Sequence, residues 1–462
     1  MSDAGDPPRE LTLAQAIELA LSMQRRGRLD AAEEIYQRVL AADPHQVDAL
    51  HFLGLSRHHR GQHEAGIALV EKALALAPDN VDARSNLGNM LAANGRLAEA
   101  EATYRQALSL RPDHVNALAN LGSVLRRRGD LAGAEAALRG ALALAPDHAE
   151  AHHNLANVLR AADRDEEALQ SYSRALALRP YDGEAYRGAG ALLYASGRID
   201  EALAIYRRWL EVEPDSASAR HMIAACSGAS AAAPARASDE FVRQTFAGFA
   251  EGFDRILTHL DYRAPALVAE AVRSAVGAPA GALDVLDAGV GTGWCGPALR
   301  PYARHLSGVD LSPEMLQRAR ARVIEAVGEG AGPGKEASAR PVYDELCEGE
   351  LTAFMRARPG AYDLIVSADT LVYFGALVEV LHAAAGALRP GGHLVFTVER
   401  AGEDPPTGFH LNPHGRYSHA EPYLRVTLAS AGFSPPTIER AILRQENRLP
   451  VEGFVVSTRR AS

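Results

Sequence analysis

The sequence predicts two domains of different class: an all-α solenoid of repeated helix pairs, then an α/β domain whose mostly parallel, seven-stranded sheet ends in an antiparallel hairpin. Three observations carry this. Prolines recur at Pro44, Pro78, Pro112, Pro146, Pro180 and Pro214, each 34 residues after the last. Beyond that point the period stops, and short apolar runs alternate with helical stretches, the pattern of an α/β domain. Between them "SGASAAAPARAS", residues 227–238, is poor in bulky side chains and suits a flexible joint. A chain of 462 residues also exceeds what one hydrophobic core normally serves.

Within each repeat the recurring residues have mechanical reasons. Gly27, Gly61, Gly95, Gly129 and Gly197 keep the period, with Asp163 in the one missing place. A glycine there can turn left-handed, end the first helix and send the chain back. Small residues at Gly54, Gly88, Gly122, Ala156 and Gly190 let the two helices cross closely, and pairs such as Ala100/Tyr104 set a knob beside a gap. Proline closes the second helix, and Asp79, Asp113, Asp147 and Asp215 are expected to cap the next. This pattern resembles the tetratricopeptide repeat, in six copies over 11–214 with a capping helix at 215–228. The expected domains are the array at 11–228, a linker at 229–238 and the α/β domain at 239–462. Helix pairs of this kind stack to form a concave surface, which implies a protein or peptide partner. Asn86, Asn120 and Asn154 repeat on the first helix of three successive units, where the family's groove lies; an amide ladder there can bond an extended peptide backbone. The alternative is that asparagine merely suits this position. Asp48, Asp82, Asn116, Glu150 and Glu184 make the same face acidic, which disfavours a clamp for a C-terminal carboxylate.

In the second domain the expected strands are Leu283–Ala288, His305–Val309, Val342–Cys347 at an edge, Tyr362–Ser367 and His393–Val398, the last approached through "LRPGG". Helices are expected over Pro297–Tyr302 and from Pro313 to about Val327. Thr437–Leu443 and Glu452–Thr458 sit close enough to form an antiparallel hairpin.

The first strand opens into "VLDAGVGTGWCGPAL", residues 285–299. Gly291, Gly293 and Gly296 satisfy a dinucleotide-binding spacing, but glycines so placed serve any turn that a nucleotide approaches. Asp310 after the second strand, suited to ribose hydroxyls, does not discriminate either. Asp287 does: a carboxylate at the strand end opposes a pyrophosphate and suits a cationic ligand. With "LRPGGHLVF" and the terminal hairpin, this stretch resembles the class I S-adenosylmethionine-dependent methyltransferases, and with the repeats the group of predicted methyltransferases that carry their own tetratricopeptide array. The resemblance implies a Rossmann-like fold and S-adenosylmethionine as cofactor. It also implies that Gly289, Gly291 and Gly293 let the backbone approach the methionine portion, supported by Asp287, and that Asp310 takes the ribose. Leu311 and Met315 would flank the adenine, Glu350 beside Leu351 would accept from its amine, and Asp369 would lie where cofactor meets acceptor.

The methyl of that cofactor is already activated, so the protein mainly aligns an acceptor and excludes water. Phe246, Phe249 and Phe253 form a stripe that either docks on the sheet or belongs to a lid with Tyr262 and Arg263 at its edge. Residues 408–424 are a second wall, where His410, His414, Tyr417 and His419 cluster; no ligand spacing for a metal completes it. Asp369, Tyr417 and His419 are the candidates for a base, and the absence of an N-P-P-Y-like tetrapeptide after the fourth strand disfavours amide-nitrogen methylation. A net charge of −10 disfavours nucleic acid and anionic membranes. Three separated cysteines give no disulfide framework, the first residues lack a signal-peptide build and no apolar run approaches ~18 residues, so a cytoplasmic protein is expected. The reading is therefore methyl transfer to an unidentified small or protein-bound acceptor, with the repeats recruiting substrate or partner. Its rivals are a repeat scaffold with a regulatory or weakly active S-adenosylmethionine-binding domain, and a dinucleotide enzyme.

Overall fold

The computed structural model describes residues 11–227, 234–247, 254, 257, 258, 260–325, 339–402, 405–446 and 449–461. The chain divides into two compact units, 1–192 and 193–462, the division falling inside the helix Gly183–Ala195.

In the first unit five helix pairs follow one another, from Leu13–Arg25 with Leu29–Ala42 to Ala149–Ala161 with Asp165–Leu178. The second helix of each pair ends two residues before its proline, and Gly27, Gly61, Gly95 and Gly129 turn the chain with φ of 74–89°. Asp163, in the place of a glycine, takes the same conformation at φ 57°. The small residues are required by contact: a Cβ on Gly88 would stand 2.6 Å from the Tyr104 ring, and one on Gly122 2.5 Å from Leu138. Tyr36, Tyr104 and Tyr172 are fully buried as the knobs. The caps differ from expectation. Asp79, Asp113 and Asp147 sit in the turn, and the following Asn80, His114 and His148 accept the third amide of the next helix, as Gln46 does in the second repeat. Proline and aspartate together occupy the turn, so the first extended residue, which alone has cap geometry, comes one position later. Ser216 replaces Asp215 in the same way in the second unit.

The second unit contains the helices Ile199–Val212, Ala217–Cys226 and Asp239–Ala247 before its sheet begins. The strands are β1 (Leu283–Ala288), β2 (Ala303–Asp310), β3 (Val323–Glu325), β4 (Ala339–Pro341), β5 (Glu345–Glu348), β6 (Tyr362–Ser367), β7 (Leu388–Arg400), β8 (Phe409–Leu411), β9 (Tyr417–His419), β10 (Thr437–Glu446) and β11 (Leu449–Arg459). The principal order is β10-β11-β7-β6-β1-β2-β5, parallel from β7 to β5 and antiparallel over β7, β11 and β10. Alternate residues face opposite sides, Val285 towards Val268 and Val272, Leu286 towards Leu381 and Phe396, so apolar cores cover both faces.

The expected strands and the hairpin form, with shifted limits. The helix from Pro313 stops at Ala321 because Val323–Glu325 pairs with β4. The edge strand starts at Glu345, since Val342 and Tyr343 turn into the core. "LRPGG" is itself part of β7, its irregularity absorbed by a register shift against β6. Residues 408–424 contribute β8 and β9, with β9 parallel to β7. After β1 the chain builds β2 and β5 on one side and then crosses to place β6 on the other. This reversal opens a crevice beyond the carboxyl ends of β1 and β6.

Candidate active site

A cavity of about 210 Å³ occupies that crevice. The turn after β1 shapes one wall: the amides of Gly289 and Val290 both donate to the Val309 carbonyl, at 2.9 and 3.0 Å, which binds the turn to the end of β2. Gly289 at φ 83° faces Thr370, whose side chain a Cβ would overlap, whereas the Cβ direction of Gly291 at φ 52° is open. The Gly291 amide donates to Asp310 Oδ2 at 2.8 Å and the Ser312 amide to Oδ1 at 2.9 Å. Burial pushes the Asp310 carboxyl up and these amides oppose it. Leu311 and the fully buried Met315 continue the same wall.

Opposite them Glu350 and Leu351 line the cavity at the start of the helix Leu351–Arg356. Glu350 is also that helix's N-cap, accepting from Thr352 and Ala353 amides at 3.0 and 2.8 Å. Asp287 and Gly293 do not line the cavity. Asp287, 1% exposed, accepts from the Tyr343 hydroxyl at 2.7 Å beneath the turn, and burial raises its carboxyl to about 7. Gly293 makes room for the Tyr343 ring.

At the far end Asp369 follows β6 with φ 56°, its amide donating to Thr397 Oγ1 at 2.8 Å. Its carboxylate receives Arg444 Nη1 at 2.6 and 2.8 Å. Arg444 also donates to Glu446 at 2.7 Å and to Glu399, while Arg416 donates to Glu399 at 2.8 Å and to both Glu446 oxygens at 2.6 Å. Burial would raise Glu399, but Arg416, His414 and Arg444 bring it down to about 2. Burial and Arg416 push His414 down to about 4, so it is neutral at pH 7. Tyr262 stands in this end of the cavity, and Phe246 meets Tyr373 edge-on at 5.6 Å there. Asp254 ties the segment before Tyr262 to the glycine turn, receiving Thr292 Oγ1 at 2.5 Å, Trp294 Nε1 at 2.8 Å and Arg322 at 2.9 Å.

Other sequence candidates lie elsewhere. Tyr417 is buried and donates to the Pro234 carbonyl at 2.7 Å; His419 is buried beside the Gly375 carbonyl at 3.1 Å, its Nδ1 without a partner among the described residues and its pKa pushed down to about 4 by burial. Neither lines the cavity. Arg263 donates its amide to Leu443 and begins the helix Ala264–Val276, outside the cavity wall. Phe249 and Phe253 lie outside the described residues. In the first unit Asn86, Asn120 and Asn154 line one groove of about 630 Å³, with Asn120 bonded to Asn89 at 2.7 Å and Asn86 to His51 at 3.0 Å. Among the described residues no group of three or more His, Cys, Asp or Glu could hold a metal, and no helix is long and apolar enough to cross a membrane.

The arginine–carboxylate network escaped the sequence reading. Its one signal was charge ending or interrupting apolar strands, Glu399 in "HLVFTVER" and Arg444 in "AILRQE". Arg416 sat in the stretch whose histidines drew attention instead.

Comparison with known proteins finds two kinds of match in the chain. A methyltransferase-domain model matches residues 286–396, and two tetratricopeptide-repeat models match segments within 17–183 and 166–226. Nodulation protein S of Rhizobium tropici is 30% identical over 24% of this chain and 42% of its own length. A ubiquinone biosynthesis O-methyltransferase of Thiobacillus denitrificans is 29% identical over 26% of this chain and 46% of its own. The chain thus spans less than half the length of these curated relatives. Among solved structures, PilW, a type IV pilus biogenesis factor, is 20% identical with a TM-score of 0.42, over 45% of this chain and 96% of its own. The chain carries tetratricopeptide repeats followed by a segment that matches the methyltransferase-domain model.

Proposed function

We propose that this chain transfers the methyl group of S-adenosylmethionine to an acceptor placed at the Asp369 end of the cavity, while the repeat groove holds a protein substrate or partner. The supporting observation is Asp310 at the end of β2, its carboxylate held by two backbone amides, one of them from the glycine turn, in the crevice where the strand order reverses. The residues present fit such a donor: the open Cβ direction at Gly291 leaves room against the backbone, Asp310 offers an acceptor to paired hydroxyls, and Leu311, Met315 and Leu351 offer apolar contact to a flat base. When bound, the donor supplies an electrophilic methyl on a positive sulfur. The chain's own part is to orient and to keep water out, with Phe246, Trp294 and Tyr262 walling the cavity. In this reading the array is 11–228, joined through 229–238 to the methyltransferase domain at 239–462. Asn86, Asn120 and Asn154 hold an extended backbone by their amides.

Incubation with radiolabelled S-adenosylmethionine and cell extract tests this. Label passes to an acceptor with the native chain, and Gly291→Arg, which fills the open space, abolishes transfer. Donor binding without transfer supports a repeat scaffold with a regulatory nucleotide domain instead.

A further inference from the structure

Among the described residues three hydrogen-bond donors in the cavity have no partner. Arg416 bonds through Nε and Nη2, leaving Nη1 unused, and the hydroxyls of Tyr262 and Tyr373 make no hydrogen bond among the described residues although both residues line the cavity. All three line the same cavity as Asp369, within its electrostatic reach: Tyr262 feels the charges of Asp369 and Arg444, and Tyr373 those of Arg416 and Asp369. Donors that line a cavity and find no partner on the protein are open to a ligand, so a cluster of them marks a place where a ligand supplies oxygen atoms.

The charge of the surroundings narrows that ligand. Asp369, Glu399 and Glu446 face Arg416 and Arg444, and His414 is neutral, so the network carries one net negative charge. A sulfonium donor, on which this inference rests, brings its positive sulfur to this end of the cavity and balances that charge locally, Asp310 lying at the other end. A carboxylate acceptor would then put a net negative charge in a desolvated site and an ammonium acceptor a net positive one, each costly.

We propose that Tyr262, Tyr373 and the free Nη1 of Arg416 form the acceptor subsite, that the acceptor enters as a neutral molecule carrying a hydroxyl and a neighbouring oxygen, and that Asp369 receives the hydroxyl hydrogen. In the transfer an oxygen–carbon bond forms, the sulfur–methyl bond breaks, its electron pair stays on sulfur, and the hydroxyl proton passes to the Asp369 carboxylate. Glu399, which lies behind the cavity wall, is a positioning residue: it holds both arginines and thereby aims Nη1 into the cavity. Phe246, Trp294 and Phe374 give the acceptor's body an apolar, aromatic bed.

The chemistry of the methyl bond tests this without knowing the acceptor. Full-length protein is given radiolabelled S-adenosylmethionine and extract, and the labelled product is treated with mild alkali and partitioned from acid. Alkali-stable, non-basic label is expected, as for an ether. Label released as volatile methanol shows a carboxyl acceptor, and label retained as a cation in acid shows an amine; either overturns the proposal, as does donor binding with no transfer at all. Calorimetry of S-adenosylmethionine on the Tyr373→Phe and Glu399→Gln proteins is the second readout. Donor affinity stays within twofold of native while transfer falls about tenfold in each; an equal loss of both assigns these residues to folding or to the donor. Failure of the native protein to bind S-adenosylmethionine defeats the donor reading rather than the subsite.

Discussion

Charged residues form local pairs in one unit and a long-range network in the other. In the first unit Arg96 pairs with Glu99, three residues on, and with Glu64, one repeat back; Arg164 repeats this with Glu167 and Glu135. These pairs stand at the surface and renew themselves with each helix pair. In the second unit Arg444 is 3% exposed and reaches Asp369 and Glu399 across 75 and 45 residues of chain. Pairs of the first kind follow from helix geometry and are screened by water, so each contributes little. Contacts of the second kind exist only once the sheet has formed, and they define the polar end of the cavity.

Breaking one pair of each kind separates them most strongly. Arg444→Met leaves the partly buried Asp369 without its arginine and Glu399 and Glu446 with Arg416 alone, and is expected to cost roughly 3 kcal/mol in urea denaturation. Arg96→Ala should leave the midpoint of the first unit unchanged. A comparable loss in both variants would mean that burial does not set the difference.

Glycines sharpen the same contrast at smaller cost. Gly61 and Gly289 have φ of 79° and 83°, yet a Cβ on Gly61 meets nothing within 4 Å while one on Gly289 overlaps Thr370. Gly61→Ala is expected to cost about 1 kcal/mol, the strain of the backbone alone. Gly289→Ala adds a steric conflict, about 2 kcal/mol or more in total, and should weaken donor binding at least tenfold.

A further expected effect is a dependence on pH. The Asp287 carboxyl is raised by burial to about 7 in the folded protein, against 3.8 when free. The folded chain therefore holds the proton more tightly. The stabilisation this gives is complete below pH 4 and is lost as pH rises through 7. Asp287→Asn should flatten the decline in stability between pH 5 and 8, as read from denaturation midpoints. A native protein that gains stability over that interval in proportion to Asp287 ionisation would reverse the sign.

Legibility in the sequence followed the range of the contacts. The 34-residue period exposed the helix pairs, because each contact in them is made with the same or the next repeat. The strands were visible as apolar runs, and the residues at their tips, Gly289, Gly291, Asp310 and Asp369, all reach the cavity because a parallel sheet brings its carboxyl ends together. The caps were misplaced by one residue, since a turn's length depends on backbone angles and not on residue type alone. Arg416, Arg444, Glu399 and Glu446 were not legible, because β7, β9 and β10 meet only through the order of the sheet. Tyr417 and His419 attracted attention as chemistry-bearing side chains, yet the strand they occupy turns them into the core.

The most direct measurement is calorimetric titration of the full-length protein and its Gly291→Arg variant with S-adenosylmethionine, S-adenosylhomocysteine and NAD. One molecule of S-adenosylmethionine per native chain, no binding to the variant and none of NAD is the expected result. Binding of NAD alone, or undiminished binding of S-adenosylmethionine to Gly291→Arg, would show that the crevice beyond β1 is not the donor site.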